Sequence, residues 1–261
     1  MDPDRASRVA LTYFKILGMI PGGRLINRWV HNNRAEGLER EVMGLQFYNP
    51  LGLGAGLDTE GDLYNDLNDL GFSFSEIGPM GADGVRKAIA SLQSDPQDDI
   101  LGVCINKEFL NSFTLAYDFF DFFVIDFSTK LSTSILGPVL DARISQESYK
   151  PIVIKLPDNI SGAELDVLTD FCRMNSIDCI QARSKEQVER IRTRSLGRLP
   201  IIANCHIKTP QEAAELLEAG ADLIELRSGF AYEGPSLVNR ILNYLQENAK
   251  NNNRRKNRKS A

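Results

Sequence analysis

The sequence lacks the features of membrane-spanning, disulfide-rich and metal-centred proteins. It contains no apolar run of the roughly 18 residues that a spanning helix needs. Its four cysteines, Cys104, Cys172, Cys179 and Cys205, form no C-x-x-C pair and suggest no disulfide framework. With only two histidines in the chain, a zinc site has too few ligands at a workable spacing. We therefore predict buried, unpaired cysteines and no bound metal.

Positive charge is also scarce over most of the chain. The 30 basic and 35 acidic residues give a net charge of −5. The body of the protein therefore has no excess of basic residues of the kind that binds nucleic acid. We predict no specific nucleic-acid partner. The first residues, Met1-Asp2-Pro3-Asp4-Arg5, carry acids where a secretory signal has bases, which predicts an intracellular, cytoplasmic protein.

What the sequence does have is ordinary globular composition and a repeated order of short apolar runs. With 43% hydrophobic and 25% charged residues, the chain is neither intrinsically disordered nor a fibrous repeat. Near-continuous apolar runs are typical of strands buried on both faces of a parallel sheet. Eight such runs recur, at residues 50–54, 72–77, 100–105, 122–125, 151–155, 177–180, 199–203 and 221–226.

Helix signals separate these runs. Thr209 and Pro210 form an N-cap and a first-turn proline, and Gly220 marks the end of that helix. Ser161 and Ser184 start two further amphipathic stretches in the same way. Eight strands that alternate with helices predict an α/β fold, the (β/α)8 TIM barrel, and a doubly wound open sheet is the alternative.

Both ends of the chain lie outside this alternation. The pattern divides the chain into a short N-terminal helical extension (1–40), a barrel (41–249) and a basic tail (250–261). The apolar N-terminal helices are interpreted either as a plug packed on the barrel or as a collar that contacts a membrane or a lipid-like molecule. Residues 250–259 contain six basic and no apolar residues, which predicts a disordered tail, either solvated or in weak contact with anionic lipid or RNA.

Ligands of such barrels bind at the carboxyl ends of the strands, and those positions can be located in the sequence. Ala55 and Gly56 follow the first strand, where small residues let a flat ligand approach the backbone, and a tight turn is the other interpretation. Lys155 ends the fifth strand, and a lysine in a barrel mouth needs an anionic partner. Ser228 and Gly229 follow the eighth strand, where backbone N–H groups often hold phosphate. These residues predict a site for a small anionic ligand.

Several segments resemble dihydroorotate dehydrogenases. They are Asp2-Pro3-Asp4-Arg5-Ala6 and residues 43–58 (MGLQFYNPLGLGAGLD), 71–78 (GFSFSEIG), 219–222 (AGAD) and 228–235 (SGFAYEGP). The helical N-terminus is similar to that of the quinone-linked, membrane-associated branch of the family. The resemblance implies a TIM barrel that binds flavin mononucleotide (FMN), oxidises dihydroorotate to orotate in pyrimidine synthesis and reduces a quinone. It also implies a peripheral position on the inner face of the membrane.

The resemblance carries cofactor roles to five residues of this chain. Ala55, Gly56 and Lys155 match positions that hold the flavin in the family. Ser228 and Gly229 match part of the phosphate-binding site of the family. The resemblance therefore implies a flavin-like ligand at the same strand ends that the residues themselves indicate.

Other positions depart from the family pattern. Thr129 stands at the position of the family's serine base, and Thr59 replaces a lysine. Asn204 and Cys205 replace paired glycines that meet the phosphate, and the asparagine-rich substrate loop between strands two and three is missing. Loss of a general base alone typically lowers a rate by about 10²- to 10⁴-fold. These departures predict a catalytically degenerate barrel that has lost most or all of the parent activity.

Two other functions stay open at this point. One is an active FMN-dependent oxidoreductase with an altered substrate, which uses Thr129 or Cys205 in place of the serine. The other is a non-catalytic interaction protein that uses the N-terminal helices or the basic tail. Retention of a yellow cofactor by the purified protein separates the first of these from the second.

Overall fold

The computed structural model describes residues 37–61, 63, 64, 67, 70–94, 99–127 and 133–259 of the chain. The helices predicted in the N-terminal extension and the candidate residue Thr129 lie outside the described residues. The predicted division of the chain at residues 40 and 249 therefore stays a prediction.

Eight parallel strands close into one barrel. They are β3 (Leu51–Leu53), β4 (Phe74–Met80), β5 (Ile100–Ile105), β6 (Phe122–Asp126), β7 (Ile152–Lys155), β8 (Cys179–Ala182), β9 (Ile201–Ala203) and β10 (Leu223–Leu226). Each strand pairs with the next one in sequence, and β10 pairs with β3 through Ile224 opposite Leu51. This closure confirms the predicted (β/α)8 TIM barrel and excludes the open sheet.

Helices follow the strands and pack around the barrel. They are α1 (Ala82–Ser94), α2 (Phe109–Ala116), α3 (Leu136–Ile144, after a 3₁₀ turn at Thr133–Ile135), α4 (Gly162–Met174), α5 (Lys185–Arg194), α6 (Pro210–Glu218), α7 (Ser228–Glu233) and α8 (Pro235–Lys259). Two predicted helix starts are confirmed by full capping boxes. Ser161 forms one with Glu164 at the start of α4. Thr209 forms the other with Glu212 at the start of α6.

An antiparallel hairpin that the sequence analysis did not predict precedes the barrel. Its strands are β1 (Arg40–Val42) and β2 (Leu45–Phe47). Val42 and Phe47 are buried and pack on apolar side chains inside the barrel. The guanidinium of Arg40 donates to the carbonyl oxygen of Asp222, just before β10, at 2.7 Å. The hairpin therefore covers the end at which the strands begin, the amino end of the barrel.

Three aspartates repeat one contact at alternate strands. Asp121, Asp178 and Asp222 lie just before β6, β8 and β10. They accept hydrogen bonds from backbone N–H groups at the start of the preceding strands, namely Leu101 (2.8 Å), Ile152 (2.8 Å) and Ile201 (2.9 Å). Arg143 binds the second aspartate at 2.8 Å, and Arg192 binds the third at 2.6 Å. These contacts clamp the strand pairs β5–β6, β7–β8 and β9–β10.

Large rings fill the amino half of the barrel interior. Phe74 packs edge to face on Phe47 and Phe122, with centroids 5.3 and 6.1 Å away. A Cβ atom on Gly52 would overlap the ring of Phe74, and one on Gly102 would overlap the ring of Phe122. The two glycines make room for rings that a barrel of short strands needs to fill its centre.

The structure differs from the predicted disordered tail, because helix α8 continues from Pro235 through Lys259. Arginine and lysine are good helix formers, and positive charge near a helix C-terminus interacts favourably with the helix dipole. A helix whose first turns are packed also extends without a new nucleation step. Among the described residues, none of the helices is long and apolar enough to cross a membrane.

Gly52→Ala should destabilise the barrel, because the added methyl group would overlap the Phe74 ring. Overpacking of this kind typically costs about 1–3 kcal/mol. Gly137→Ala is the matched control, since Gly137 lies in α3 with nothing within 4 Å of its Cβ position. The control should stabilise the protein by roughly 0.4–1 kcal/mol. Urea unfolding measures both, and equal free energies of unfolding for the two variants would contradict this account.

Candidate functional site

Six polar side chains are buried together inside the barrel near the carboxyl ends of its strands. Side chains alternate along a strand, so every second residue points into the barrel. At this level the inward residues are Glu76, Asp126, Lys155, Gln181, Asn204 and Glu225, none more than 7% exposed. We call this group the polar layer. Charged groups at this depth are stable only when they are paired and hydrogen-bonded.

Gln181 connects two carboxyl groups across the barrel. Its Nε2 donates to Oε1 of Glu76 at 2.6 Å and to Oε2 of Glu225 at 2.9 Å. The three residues come from β8, β4 and β10, which are not neighbours in the sheet, so these bonds cross the interior. Asn204, which directly follows β9, donates from Nδ2 to the same Glu225 oxygen at 2.6 Å. Two amides therefore fix the position of the Glu225 carboxyl group.

Glu225 lies beside a second buried carboxyl group, that of Glu76. Burial, and then repulsion by Glu76, raises the pKa of Glu225 well above its ordinary value. The two carboxyl groups are in hydrogen-bonding contact. Among the described residues, Oε2 of Glu76 and Oε1 of Glu225 are buried and have no hydrogen-bond donor. Two carboxylates in contact away from water repel each other, which favours the protonated form of Glu225.

Lys155 is paired inside the polar layer. Its Nζ lies 3.3 Å from Oδ2 of Asp126 and 3.8 Å from Sγ of Cys104. Burial acts to lower the pKa of Lys155, but the surrounding acidic groups outweigh burial and the pKa is raised. Burial also raises the pKa of Cys104 well above its ordinary value, so the thiol is neutral at pH 7. Asp126 compensates the ammonium charge directly.

Side chains cover the backbone that follows β3. A Cβ atom at Gly54 would lie 2.7 Å from Nδ2 of Asn204 and 2.9 Å from Oε2 of Glu225. Gly56 has a φ of +109°, and its Cβ position lies 2.9 Å from Nε of Arg227. The inner face of this turn is therefore occupied by the polar layer and by an arginine.

The predicted cofactor residues lie at one end of the barrel. Ala55 and Gly56 follow β3, and Lys155 ends β7. Ser228 and Gly229 begin α7, after β10. Of the five, Lys155 belongs to the polar layer, whereas Ala55 packs in the apolar interior and Gly229 abuts a backbone carbonyl of the loop after β9. Their roles toward a cofactor stay predictions, as does the catalytic role of Thr129, which lies outside the described residues.

Sequence reasoning missed the two glutamates and treated their strands as apolar runs. The available signal was a single carboxylate within each run, in Phe-Ser-Phe-Ser-Glu-Ile and Leu-Ile-Glu-Leu. An acid in a strand buried on both faces needs a partner, and two such acids facing one barrel interior are candidates for each other. The amides of Gln181 and Asn204 are those partners.

The arrangement is suited to holding a proton. Within the described part of the chain, no group of three or more His, Cys, Asp or Glu residues is placed to hold a metal ion. The donors and acceptors of the polar layer bind mainly one another, and Oε1 of Gln181 is buried with no hydrogen-bond partner among the described residues. Burial raises the pKa of Cys205 to about 11, so its thiol is protonated at neutral pH and is a poor base.

Comparison with known proteins gives matches along nearly the whole chain. The family model for dihydroorotate dehydrogenase matches residues 176–248. The dihydroorotate dehydrogenase (quinone) of Christiangramia forsetii is 24% identical, over 92% of this chain and 94% of the relative. The protein of the same name from Proteus mirabilis is 25% identical, over 94% of this chain and 96% of the relative.

These relatives contain segments that have no counterpart here. The alignment with the Christiangramia forsetii protein extends over 319 positions, whereas this chain has 261 residues. The alignment therefore includes gaps on the side of this chain. Deletions of that extent leave the barrel closed, since all eight strands are present.

Solved structures agree on the fold. The ligand-free dihydroorotate dehydrogenase of Eimeria tenella superposes with a TM-score of 0.72 and 17% identity, over 85% of this chain and 92% of that chain. The same enzyme in complex with ferulenol gives a TM-score of 0.70 at 16% identity. At these identities the structural likeness concerns the fold alone. Together with the family match and the relatives, it shows that this chain is similar to the dihydroorotate dehydrogenases.

Proposed function

We propose that this chain is a dihydroorotate dehydrogenase-like barrel that has lost the parent reaction, the oxidation of dihydroorotate to orotate in pyrimidine synthesis. The polar layer carries the proposal. Its donors and acceptors bind one another at the end of the barrel where a ligand of this family is expected. The family depends on flavin, and bound FMN would supply the acceptor for the two electrons of the reaction.

The space at the turn after β3 does not fit FMN. The resemblance places the flavin against this turn, where its ring needs bare backbone. Here Asn204 and Glu225 lie within 3 Å of the Cβ position of Gly54, and Arg227 covers Gly56. Moving Asn204 aside would break its 2.6 Å hydrogen bond to the buried carboxyl group of Glu225. Leaving such a group unpaired typically costs about 1–3 kcal/mol, so the polar layer resists opening.

The charge at the strand ends does not fit FMN either. The resemblance gives Lys155 the role of a cation toward the flavin. Its ammonium is compensated by Asp126 at 3.3 Å, inside the barrel and away from water. A compensated cation attracts an anionic ring or phosphate much less than a free one. Thr59, in place of the family's lysine, removes a second cation.

Proton abstraction from the substrate lacks a base that is ready to act. Thr129 needs its own proton acceptor, because a threonine hydroxyl is a weak base. Asp126, three residues earlier, binds Lys155 and accepts from the Cys104 thiol. Cys205 is protonated at neutral pH, since its pKa is raised to about 11. General base catalysis needs a group with a pKa near the working pH and within hydrogen-bond reach, which supports the loss of turnover.

An FMN-dependent oxidoreductase with an altered substrate is the second candidate, and one observation favours it. The side chain of Arg227 covers Gly56 but is itself exposed. Rotation of this side chain would uncover the turn and leave a guanidinium beside it. A guanidinium binds carboxylate and phosphate groups in a bidentate manner, so this function would take a small anionic or flavin-like ligand.

The purified protein should retain no stoichiometric FMN through gel filtration, because the turn is covered and the lysine is compensated. It should also form no orotate from dihydroorotate when FMN and a quinone are added. Visible absorbance of the protein peak and orotate formation measure the two results, and the Proteus mirabilis relative is the positive control. Turnover by the unmodified chain would overturn the proposal, and bound flavin without turnover would favour the second candidate.

Glu225→Gln should remove a pH dependence of stability. Because the pKa of Glu225 is raised, the folded protein keeps a proton that an unfolded glutamate releases above about pH 4.3. The stability due to this proton is full below that pH and is lost as the pH rises toward the folded pKa, by about 1.4 kcal/mol per pH unit. A glutamine amide supplies the hydrogen toward Glu76 permanently. The variant should therefore be more stable than the parent above neutral pH and similar to it near the ordinary glutamate pKa.

Urea unfolding of parent and variant across this pH range measures the difference, in which the titration of all other groups cancels. Glu225→Ala is the control, because it leaves Gln181 and Asn204 without their acceptor at every pH. That control should be destabilised by several kcal/mol throughout. If the free energy of unfolding changes with pH in the same way for the parent and for Glu225→Gln, the pKa of Glu225 is not raised.

A further inference from the structure

The polar layer contains more acidic than basic groups. Its three carboxyl groups belong to Glu76, Asp126 and Glu225, and its one ammonium group belongs to Lys155. Lys155 lies 3.3 Å from Asp126, and these two charges neutralise each other. Arg143 is the one other buried basic residue in the described ranges, and it binds an aspartate at the opposite, amino end of the barrel. Within those ranges, Glu76 and Glu225 therefore have no buried basic partner of their own.

Three buried oxygen atoms of the layer have no hydrogen-bond partner among the residues that the structure describes. They are Oε2 of Glu76, Oε1 of Gln181 and Oε1 of Glu225, and all three residues are fully buried. All three atoms are acceptors, and no donor of the layer is left over in the described chain. Gln181 holds the two carboxyl groups together through Nε2, at 2.6 and 2.9 Å. Because buried polar atoms are nearly always hydrogen-bonded, these oxygens require a group that donates or carries positive charge.

A single proton does not meet this requirement. Glu225, whose pKa is raised by burial and by the neighbouring acid, can hold a proton and donate it to Glu76. That bond leaves Oε1 of Gln181 without a donor. It also leaves the negative charge of Glu76 in the interior, where an unpaired charge is strongly destabilising. The oxygens and the charge therefore indicate the same kind of ligand, a small cation.

We propose that the polar layer binds one monovalent cation, ammonium or potassium, between Glu76, Gln181 and Glu225. Ammonium carries four N–H donors and one positive charge, so a single ion can donate to these oxygens and neutralise the carboxylate. Potassium is of similar size and takes oxygen ligands of the same kind. The site uses none of the residues that the resemblance assigns to the flavin, so it does not depend on the proposed loss of catalysis.

A monovalent cation fits the layer better than a divalent metal ion or a water molecule does. Calcium takes about six to eight oxygen ligands, and magnesium keeps several waters in an octahedral shell. The described ranges hold no cluster of three carboxylate, thiolate or imidazole groups that suits such an ion. A water molecule could donate to two of the oxygens, but it would leave the buried charge uncompensated.

Urea unfolding of the full chain in different chloride salts tests the proposal. A ligand that binds only the folded protein lowers the unfolding equilibrium constant by the factor 1 + [L]/Kd. At about 150 mM and equal ionic strength, potassium or ammonium chloride should lower this constant at least tenfold relative to choline chloride. Choline has no N–H donor and is too large for a space between three packed side chains. Magnesium chloride should act like choline chloride, and the more stabilising of the potassium and ammonium salts identifies the preferred ion.

A charge-removing variant tests whether the salt effect comes from this site. Glu76→Gln keeps the size of the side chain and removes the negative charge that the cation neutralises. In this variant the difference between potassium or ammonium chloride and choline chloride should fall below about twofold. Glu189→Gln is the matched control, because Glu189 is an exposed glutamate of α5 on the outside of the barrel. The control should keep the full salt effect of the parent.

Crystals of the parent soaked in rubidium chloride give a direct measurement that needs no variant. Rubidium takes the place of potassium at such sites and scatters X-rays anomalously. An anomalous peak should lie in contact with Glu76, Gln181 and Glu225, and competing ammonium chloride should lower it.

Four results would overturn the proposal. The first is an equal unfolding constant in all four salts, and the second is stronger stabilisation by magnesium chloride than by potassium and ammonium chloride. The third is a salt effect that Glu76→Gln retains in full, which would assign it to another part of the chain. The fourth is a rubidium soak that gives no anomalous peak in the polar layer.

Discussion

The barrel depends on the requirement that charge buried in its interior be neutralised. Lys155, Asp126, Glu76 and Glu225 enter one layer from four strands, where an ion pair, two amides and the raised pKa of Glu225 compensate their charges. The contacts of Gln181 with Glu76 and Glu225 join strands that are not neighbours in the sheet, so they add cross-barrel links to the backbone ladder. Any change that removes one member leaves a buried charge or an unpaired donor behind.

This constraint explains how the carboxyl end of the barrel is filled. The outward side chains of the strands pack under the helices and continue to specify strand order and closure. The inward side chains at the carboxyl end have a different role, because they either contact a ligand or fill the interior of the barrel themselves. Asn204 and Glu225 cover Gly54 and thus fill space that bare backbone would leave open. A filled layer of this kind lets the barrel close without depending on a cofactor for its packing.

The order of strands and helices could be predicted from the sequence, because burial on both faces and helix capping leave local signals. The eight runs and the caps at Ser161 and Thr209 are of that kind. The hairpin β1–β2 was missed, since its strands are short and its pairing is decided by packing against the barrel end. The short helix α7 was also not predicted, because tertiary contacts decide whether six residues form a helix.

The candidate site was less predictable than the fold. Position along the chain correctly placed Gly56, Lys155 and Gly229 at the carboxyl end of the barrel. It did not give the pairing of Glu76 with Glu225, because that contact joins residues far apart in sequence and depends on which strand faces which across the interior. A local sequence pattern indicates that a residue is buried. The protonation of Glu225 and the charge compensation of Lys155, in contrast, depend on contacts among several strands.

The aspartate clamps at the amino end have a consequence for how the barrel comes together. Asp121, Asp178 and Asp222 each join a strand to the one before it. The strand pairs β5–β6, β7–β8 and β9–β10 are therefore doublets, each with its own register lock. Such doublets are natural cooperative units of partial unfolding, and a ring of them can lose or shorten a connecting loop within one unit without shifting the register of the next.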